Sequence, residues 1–154
     1  MSIADAGSRL LLGWREWIAL PDLEVPRIKV KLDTGARSSA LHAFDLERYR
    51  EAGADRVRFV VHPLQRDTRR TIVASAELLD ERVVRNSGGG EELRPVIATT
   101  LELMGQRWPI ELTLARRDVM GFRMLLGRQA LRGRAVVDPG RSYLAGRRKP
   151  RRAR

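Results

Sequence analysis

Apolar and polar residues alternate along most of the chain, in short runs that end at turn-forming residues. The clearest run covers 25–32, where Val25, Ile28, Val30 and Leu32 are apolar and lysines separate the last three. A period of two is typical of a β-strand that buries one face. The pattern therefore predicts a strand at 25–32.

Further strands are predicted where a short apolar or alternating run is bounded by Gly, Pro, Asn or Asp. These runs lie at 11–20, 38–42, 56–62, 70–76, 81–85, 93–103, 107–115, 124–127 and 135–138. Two segments are richer in helix-forming residues, and short helices are predicted at 45–52 and 128–131. Many short strands with few helices predict a small, mainly β domain, either a barrel or a sandwich.

The chain of 154 residues is long enough for one compact domain. We expect this domain at 11–145, preceded by an N-terminal extension at 1–10 and followed by a basic disordered tail at 146–154. The strongest turn signal is Asn86-Ser87-Gly88-Gly89-Gly90, which predicts a hairpin between the runs at 81–85 and 93–103.

Composition excludes several classes of protein. The chain contains no cysteine, which excludes disulfides, iron–sulfur clusters and thiolate zinc sites. The apolar runs are too short for a membrane helix, and the N-terminal residues do not form a secretory signal. We therefore expect a cytoplasmic protein with no membrane contact.

The chain is strongly basic, with 30 Lys+Arg against 19 Asp+Glu and a net charge of +11. Six of the basic residues lie in the tail at 147–154, so subtracting them from +11 leaves +5 on the rest of the chain. A basic surface attracts polyanions such as nucleic acid or an acidic peptide. Simple solvation of the arginines fits the same composition equally well.

The triplet Asp33-Thr34-Gly35 follows the run at 25–32 and is the main candidate for chemistry. A carboxylate at the end of a strand, followed by Thr-Gly, is what an aspartic protease presents to its catalytic water. That chemistry needs two facing carboxylates, and the chain has one such triplet, so a symmetric homodimer is indicated. The alternative is an ordinary aspartate in a turn.

Two motifs together carry a family resemblance: the segment at 32–36 and the late Met124-Leu125-Leu126-Gly127-Arg128. The pair resembles the retropepsins, the single-domain homodimeric aspartic proteases of retroviruses. Longer segments are similar to a bacterial branch described as RimB-type and formerly labelled ATP-dependent zinc proteases. They lie at 31–43, 94–97, 110–114, 117–122 and 137–144.

The resemblance implies a retropepsin-like closed β-barrel, a single domain with one short C-terminal helix. It also implies a homodimeric aspartic endopeptidase that trims glutamate extensions from a small-subunit ribosomal protein. Catalysis would fall to Asp33, with Thr34 locking the two loops across the twofold axis and Gly35 offering an amide to the carboxylate. The segment between Asp33 and Gly127 is longer than in a minimal retropepsin, with extra residues expected around 45–80.

Candidate residues for substrate binding lie just past this triplet and on the predicted flap strands, and solvent exposure is an equally compatible alternative for each arginine. The hairpin turn Gly88-Gly89-Gly90 lies where a retropepsin flap would be, although a plain flexible loop is equally compatible with it. The candidates to bind an acidic side chain or line the site are Arg37, His42, Arg85 and Arg94. Arg128 is expected to make a structural ion pair.

The sequence gives no support to a metal or nucleotide site, and we expect no cofactor. His42 and His62 lie far apart without ligand spacing, and there is neither a His-Glu-x-x-His motif nor a phosphate-binding loop ending in Lys-Ser/Thr. His62 is expected to be structural. The competing hypothesis is a catalytically idle basic β domain that binds ribosomal RNA or ribosomes through its tail.

Overall fold

The computed structural model describes residues 8–64, 70–85, 88–116 and 121–146. Within these residues the chain forms eleven strands, a short α-helix and one 3-10 turn at Pro21–Leu23. The strands are β1 (Leu10–Gly13), β2 (Arg15–Leu20), β3 (Val25–Leu32), β4 (Ser39–His42), β5 (Phe44–Glu51), β6 (Ala54–Val61), β7 (Ile72–Arg85), β8 (Glu91–Leu103), β9 (Gln106–Ala115), β10 (Met124–Leu126) and β11 (Ala135–Asp138). The helix α1 spans Arg128–Leu131. Residues 1–7 of the predicted extension and 147–154 of the predicted tail lie outside the described residues.

Six strands close into a mixed barrel in the order β2-β3-β10-β4-β9-β8, and β8 returns to β2 where Glu102 lies opposite Ala19. The pairs β3–β10 and β4–β9 are parallel, while β10–β4, β8–β9 and β2–β3 are antiparallel. The predicted mainly β closed barrel is confirmed, and the sandwich is excluded. Because β10 is inserted between β3 and β4, the late apolar segment lies beside the end of β3.

The barrel core is built from the alternating positions that the sequence predicted. Val25, Ile28 and Val30 are fully buried, and Leu32 is 5% exposed. Burial of such side chains contributes roughly 1.5–3 kcal/mol each. Trp108 also lies in the core, and its Nε1–H donates to the Ala130 carbonyl at 2.9 Å. This bond fastens α1 to the barrel.

A second group of strands extends the sheet outward from β8 in the order β7-β6-β5. The predicted helix at 45–52 is wrong, because most of this segment forms β5 and pairs antiparallel with β6. Its helix-forming residues are overridden by tertiary pairing, in which Arg58 Nη1 donates to Glu47 Oε1 across the ladder at 2.7 Å. Ala52 and Gly53, both with positive φ, form the two-residue turn that this hairpin requires.

Two boundaries also differ from the prediction. The single strand expected at 11–20 divides into β1 and β2, because the Trp14 amide leaves the ladder and donates to the Arg141 carbonyl at 2.8 Å. The strands expected at 70–76 and 81–85 join into the one long strand β7. No helix in the described residues is long and apolar enough to cross a membrane.

The two ends of the domain are joined by a parallel ribbon of β1 and β11 and by the carboxylate of Glu16. Glu16 is fully buried, and its oxygens accept three backbone N–H bonds. The donors are Gly13 at 2.6 Å, Leu144 at 2.9 Å and Ala145 at 3.0 Å. A buried carboxylate that is satisfied by backbone donors in this way holds the C-terminal segment against β2.

Replacing Glu16 with glutamine is expected to lower the free energy of unfolding by about 2 kcal/mol, since hydrogen bonds to a charged group are lost and an amide NH₂ faces backbone donors. Urea denaturation of wild type and Glu16→Gln measures the difference. Glu77→Gln is the matched control, because Glu77 is exposed on β7. Equal stability of the two variants would contradict a structural role for the Glu16 carboxylate.

Candidate active site

Asp33 follows β3 directly, and its position is fixed by backbone bonds on both sides. Its N–H donates to the Leu126 carbonyl at 2.8 Å, and its own carbonyl accepts the Ala36 N–H at 3.1 Å. The carboxylate Oδ1 accepts the Gly35 N–H at 3.0 Å. A Cβ at Gly35 would lie 3.2 Å from this Oδ1, so glycine gives the carboxylate room next to its own turn. Asp33 is half-buried, whereas Thr34 and Gly35 are exposed.

The segment from β10 into α1 holds the other side of this turn. Gly127 N–H donates to Ser39 Oγ at 3.0 Å, and Arg128 N–H donates to the Ala36 carbonyl at 2.7 Å. A Cβ at Gly127 would lie 2.3 Å from the Ser38 carbonyl oxygen, so only glycine allows this approach. The sequence pair that carried the family resemblance is therefore one packed unit in the structure.

The expected ion pair of Arg128 is wrong for the part of the chain that the structure describes. Its Nη1 instead donates to the carbonyls of Thr34 at 3.0 Å and Gly35 at 3.3 Å. The guanidinium thus clamps the backbone of the turn next to the carboxylate. Carbonyl oxygens that lie this close together need a donor, and a planar arginine fork supplies several.

The predicted binding residues fall into different places. Arg37 is exposed at the end of the Asp33 turn. Arg94 is mostly buried, and its Nε donates to Glu92 Oε1 at 3.1 Å. Arg85 is 77% exposed near the hairpin tip, with Nη2 lying 4.0 Å from Glu91 Oε2. The structure does not bring these arginines together with Asp33 in one cluster.

His42 is buried at the end of β4, where both ring nitrogens are engaged. Arg123 Nη1 lies 2.9 Å from Nδ1, and the Arg116 carbonyl lies 3.0 Å from Nε2. Because a guanidinium can only donate, Nδ1 accepts and Nε2–H donates, which assigns the tautomer. The imidazole also packs against Phe44 at a centroid distance of 4.4 Å. His42 is therefore buried, and both of its ring nitrogens are held by protein groups.

His62 packs on the other side of Phe44, and its Nδ1 lies 3.3 Å from the Arg70 carbonyl. Among the described residues, no group of three or more His, Cys, Asp or Glu side chains is arranged to hold a metal ion.

The predicted flap is the tip of the hairpin that β7 and β8 form. The last residue pair of this ladder is Arg85 opposite Glu91. Gly88, Gly89 and Gly90 are exposed and lie in the connection between the two strands. Gly89 has a φ of +89°, which favours glycine. The other two turn residues of the motif, Asn86 and Ser87, lie outside the described residues. Mobility of this tip stays a prediction.

A residue that the sequence did not single out lines a cleft beside the Asp33 turn. The cleft has a volume of ≈ 430 Å³ and lies between the start of β4, the base of the hairpin and α1. Arg82 of β7 reaches into it, with Nη1 lying 3.4 Å from Ser38 Oγ. The sequence predicted a strand at 81–85, but only its pairing with β8 shows which of its side chains face the cleft.

The family follows from comparison with known sequences. The model of the family described as "Retropepsin-like aspartic endopeptidase RimB" matches residues 11–148. The chain belongs to the RimB-like family. The match includes both the Asp33 turn and the Gly127 segment, and the resemblance based on those motifs is confirmed.

Relatives of this RimB-like chain include much longer proteins. A "Probable alpha-L-glutamate ligase" from Desulfotalea psychrophila is 42% identical over 132 residues, which are 86% of this chain and 28% of that protein. A protein of the same name from Parasynechococcus marenigrum is 46% identical over 138 residues, 90% of this chain and 30% of that protein. The chain spans less than a third of the length of these curated relatives.

The fold also has a solved counterpart. A crystal structure of Lpg0085 from Legionella pneumophila, a DUF785 protein of unknown function, has a TM-score of 0.74 and 25% identity to this chain. The match covers 90% of this chain and 99% of that one. The barrel and its outer strands are therefore shared with an experimentally determined structure.

Proposed function

We propose that this RimB-like domain is an aspartic endopeptidase that acts as a homodimer, with one Asp33 from each subunit. The observation that carries the proposal is the construction of the Asp33 turn. Its backbone is held by Leu126 and by the Arg128 guanidinium, while its carboxylate stays half-buried beside an exposed Thr-Gly. A fixed carboxylate at an accessible edge is what water activation requires.

The chemistry needs a second carboxylate, and a second copy of the chain supplies it. Two carboxylates held close together by a twofold axis share one proton, as in aspartic proteases generally. The ionised Asp33 takes a proton from water as general base, and its protonated twin donates a hydrogen bond to the scissile carbonyl oxygen. Thr34 is exposed next to the carboxylate, which supports its proposed contact with the Thr34 of a second copy.

Surface features near Thr34 support association of two copies. Thr34 and Arg128 line a groove of ≈ 390 Å³ together with the inner face of β11. On the outer face of the same ribbon, Leu11 lies opposite Val136, and these side chains are 49% and 44% exposed. The ribbon pairs with no third strand in the described residues, and unpaired sheet edges are common sites of strand addition.

The proposed substrate is a glutamate extension on a small-subunit ribosomal protein. Two relatives carry a matching domain within proteins named as glutamate ligases, so a hydrolase for glutamate chains is a natural counterpart. The net charge of +11 favours attraction of an acidic chain. The ligase chemistry itself is not transferred to this chain, because the matches cover only 28% and 30% of those proteins.

The decisive experiment incubates wild-type protein with a ribosomal-protein peptide that ends in four glutamates, and follows its length by mass spectrometry. A preparation whose solution mass is that of a dimer is expected to shorten this peptide and to spare the same peptide ending in four alanines. A dimeric preparation that cleaves neither peptide would contradict the proposed function.

The same assay distinguishes an aspartic from a metal-dependent enzyme. Excess chelator is expected to leave the rate unchanged, because both nitrogens of His42 are engaged by protein groups and a carboxylate pair activates water by itself. Loss of activity with chelator, followed by recovery with zinc, would assign the reaction to a metal site instead.

A further inference from the structure

The cleft beside the Asp33 turn has a wall that suits an acidic ligand. The remaining lining is apolar, and its polar lining comes from Ser38, Ser39, Arg82, Glu111, Thr113 and Gln129. Arg82 and Glu111 are the charged residues among those that line it. Ser38 lines the cleft and follows the Asp33 turn closely in the sequence, so one wall of the cleft is continuous with that turn.

Register places the cleft on one defined face of β7, β8 and β9. Arg82 lies directly opposite Arg94, and Ala98 lies directly opposite Glu111. Opposed residues in an antiparallel ladder share a face, and alternate residues of one strand do as well. Arg82, Arg94, Ala98 and Glu111 therefore lie on the same side of the sheet, whereas Arg85 lies on the other side.

Arg82 is held loosely. Its Nη2 lies 3.5 Å from Glu111 Oε1 and its Nη1 lies 3.4 Å from Ser38 Oγ, both long for a hydrogen bond. Its side chain is 41% exposed, so the residue keeps contact with solvent. An arginine in this state exchanges a weak internal contact for a bidentate carboxylate at little desolvation cost.

We propose that this cleft is a subsite for an acidic side chain of the substrate and that Arg82 is its specificity-determining residue. The proposal rests on the proposed peptidase function and names the residue that selects glutamate. In the free protein Glu111 occupies one side of the Arg82 guanidinium. On binding, the substrate carboxylate accepts two hydrogen bonds from the Arg82 guanidinium. The Ser38 hydroxyl and the Gln129 amide are further donors within the cleft.

The experiment measures binding rather than turnover, so it does not depend on catalysis. Fluorescence anisotropy of labelled tetraglutamate and tetraglutamine is recorded with the Asp33→Asn protein, into which Arg82→Met or Arg50→Met is introduced. Arg50→Met is the matched control, because it removes the same charge from an exposed position on β5 that does not line the cleft. Thermal melts of each variant establish that it is folded.

Arg82→Met is expected to raise the Kd for tetraglutamate about 10-fold or more, the effect of losing a charge-assisted pair, and to leave tetraglutamine binding unchanged. Arg50→Met is expected to change the Kd for tetraglutamate less than about 3-fold, as for a solvent-exposed charge. Glu111→Gln is expected to lower the Kd for tetraglutamate, since it releases Arg82 from its internal partner.

Equal effects of Arg82→Met and Arg50→Met would overturn the proposal, because they would show attraction by general charge. Absence of tetraglutamate binding would overturn it as well. Arg82-dependent binding without any cleavage by wild type would refute the proposed peptidase and leave the acidic subsite standing. Cleavage by wild type at a rate that Arg82→Met does not change would support the proposed peptidase and overturn the acidic subsite.

Discussion

Asp33→Asn is expected to lower kcat/KM for a glutamate-extended peptide by about 10⁴-fold, the upper range for loss of a general acid–base group. The substitution acts twice, because both subunits of the proposed homodimer lose their carboxylate. An amide neither accepts the proton of the attacking water nor donates a shared proton to the scissile carbonyl. Initial rates from wild type and variant at equal dimer concentration measure the loss.

The same substitution is expected to leave the fold intact. The asparagine carbonyl oxygen still accepts the Gly35 N–H, which lies 3.0 Å from Oδ1 in the wild-type turn. The backbone bond from Asp33 to Leu126 does not involve the side chain. The free energy of unfolding should therefore change by no more than about 0.5 kcal/mol, as for a surface substitution.

Asp22→Asn is the matched control, because Asp22 is an exposed aspartate that follows β2 in a comparable turn. It removes the same charge and should retain wild-type activity. Affinity for ribosomal RNA, if the domain has any, should be equal in both variants. Full activity of Asp33→Asn would show that Asp33 is an ordinary turn residue and that other groups carry out the hydrolysis. Absence of cleavage by dimeric wild type would instead leave RNA binding as the main candidate function.

The barrel was predictable because its strands carry their own signals. The alternation at 25–32 gave β3 with its observed bounds, and the short apolar run at 124–127 gave β10 within one residue. The association of Asp33 with Gly127 was predictable from the family resemblance, and the structure gives its physical reason. A Cβ at Gly127 would collide with the backbone of the Asp33 turn.

The features that the sequence did not predict depend on pairing between segments that are distant in the chain. The segment at 45–52 has helix-forming residues, and only its ladder with β6 makes it a strand. Arg82 and Arg85 look alike in the sequence, yet the register with β8 places them on opposite faces of one hairpin. Glu16 reads as a polar position of a strand, and its role depends on backbone donors that lie more than a hundred residues away.

Gly127→Ala is the second large effect that we expect, and it tests the packing behind Asp33. The added methyl group would lie 2.3 Å from the Ser38 carbonyl oxygen and 2.9 Å from the Ala36 carbonyl oxygen. Both are backbone atoms of the loop that follows Asp33, so no side chain can rotate away. The strain should lower the free energy of unfolding by about 3 kcal/mol, the upper part of the range for overpacking.

Activity should fall as well, because the loop must move to relieve the contact. A shift of about 1 Å in a catalytic group costs roughly 10²-fold in rate. Calorimetry and the peptide assay, normalised to the folded fraction, measure the two effects separately. The φ of −95° at Gly127 is ordinary for any residue, so the predicted effects come from the steric contact and not from backbone strain.

Gly140→Ala provides the comparison, since a methyl group there would meet only Asp138 Oδ1 at 3.5 Å, an ordinary contact. This variant should match wild type in both stability and rate. If Gly127→Ala behaves in the same way, the loop after Asp33 is not held by β10 and α1 as described. If it loses activity but not stability, the loop yields without unfolding the barrel. The rate would then depend on where the Asp33 carboxylate is held as well as on its presence.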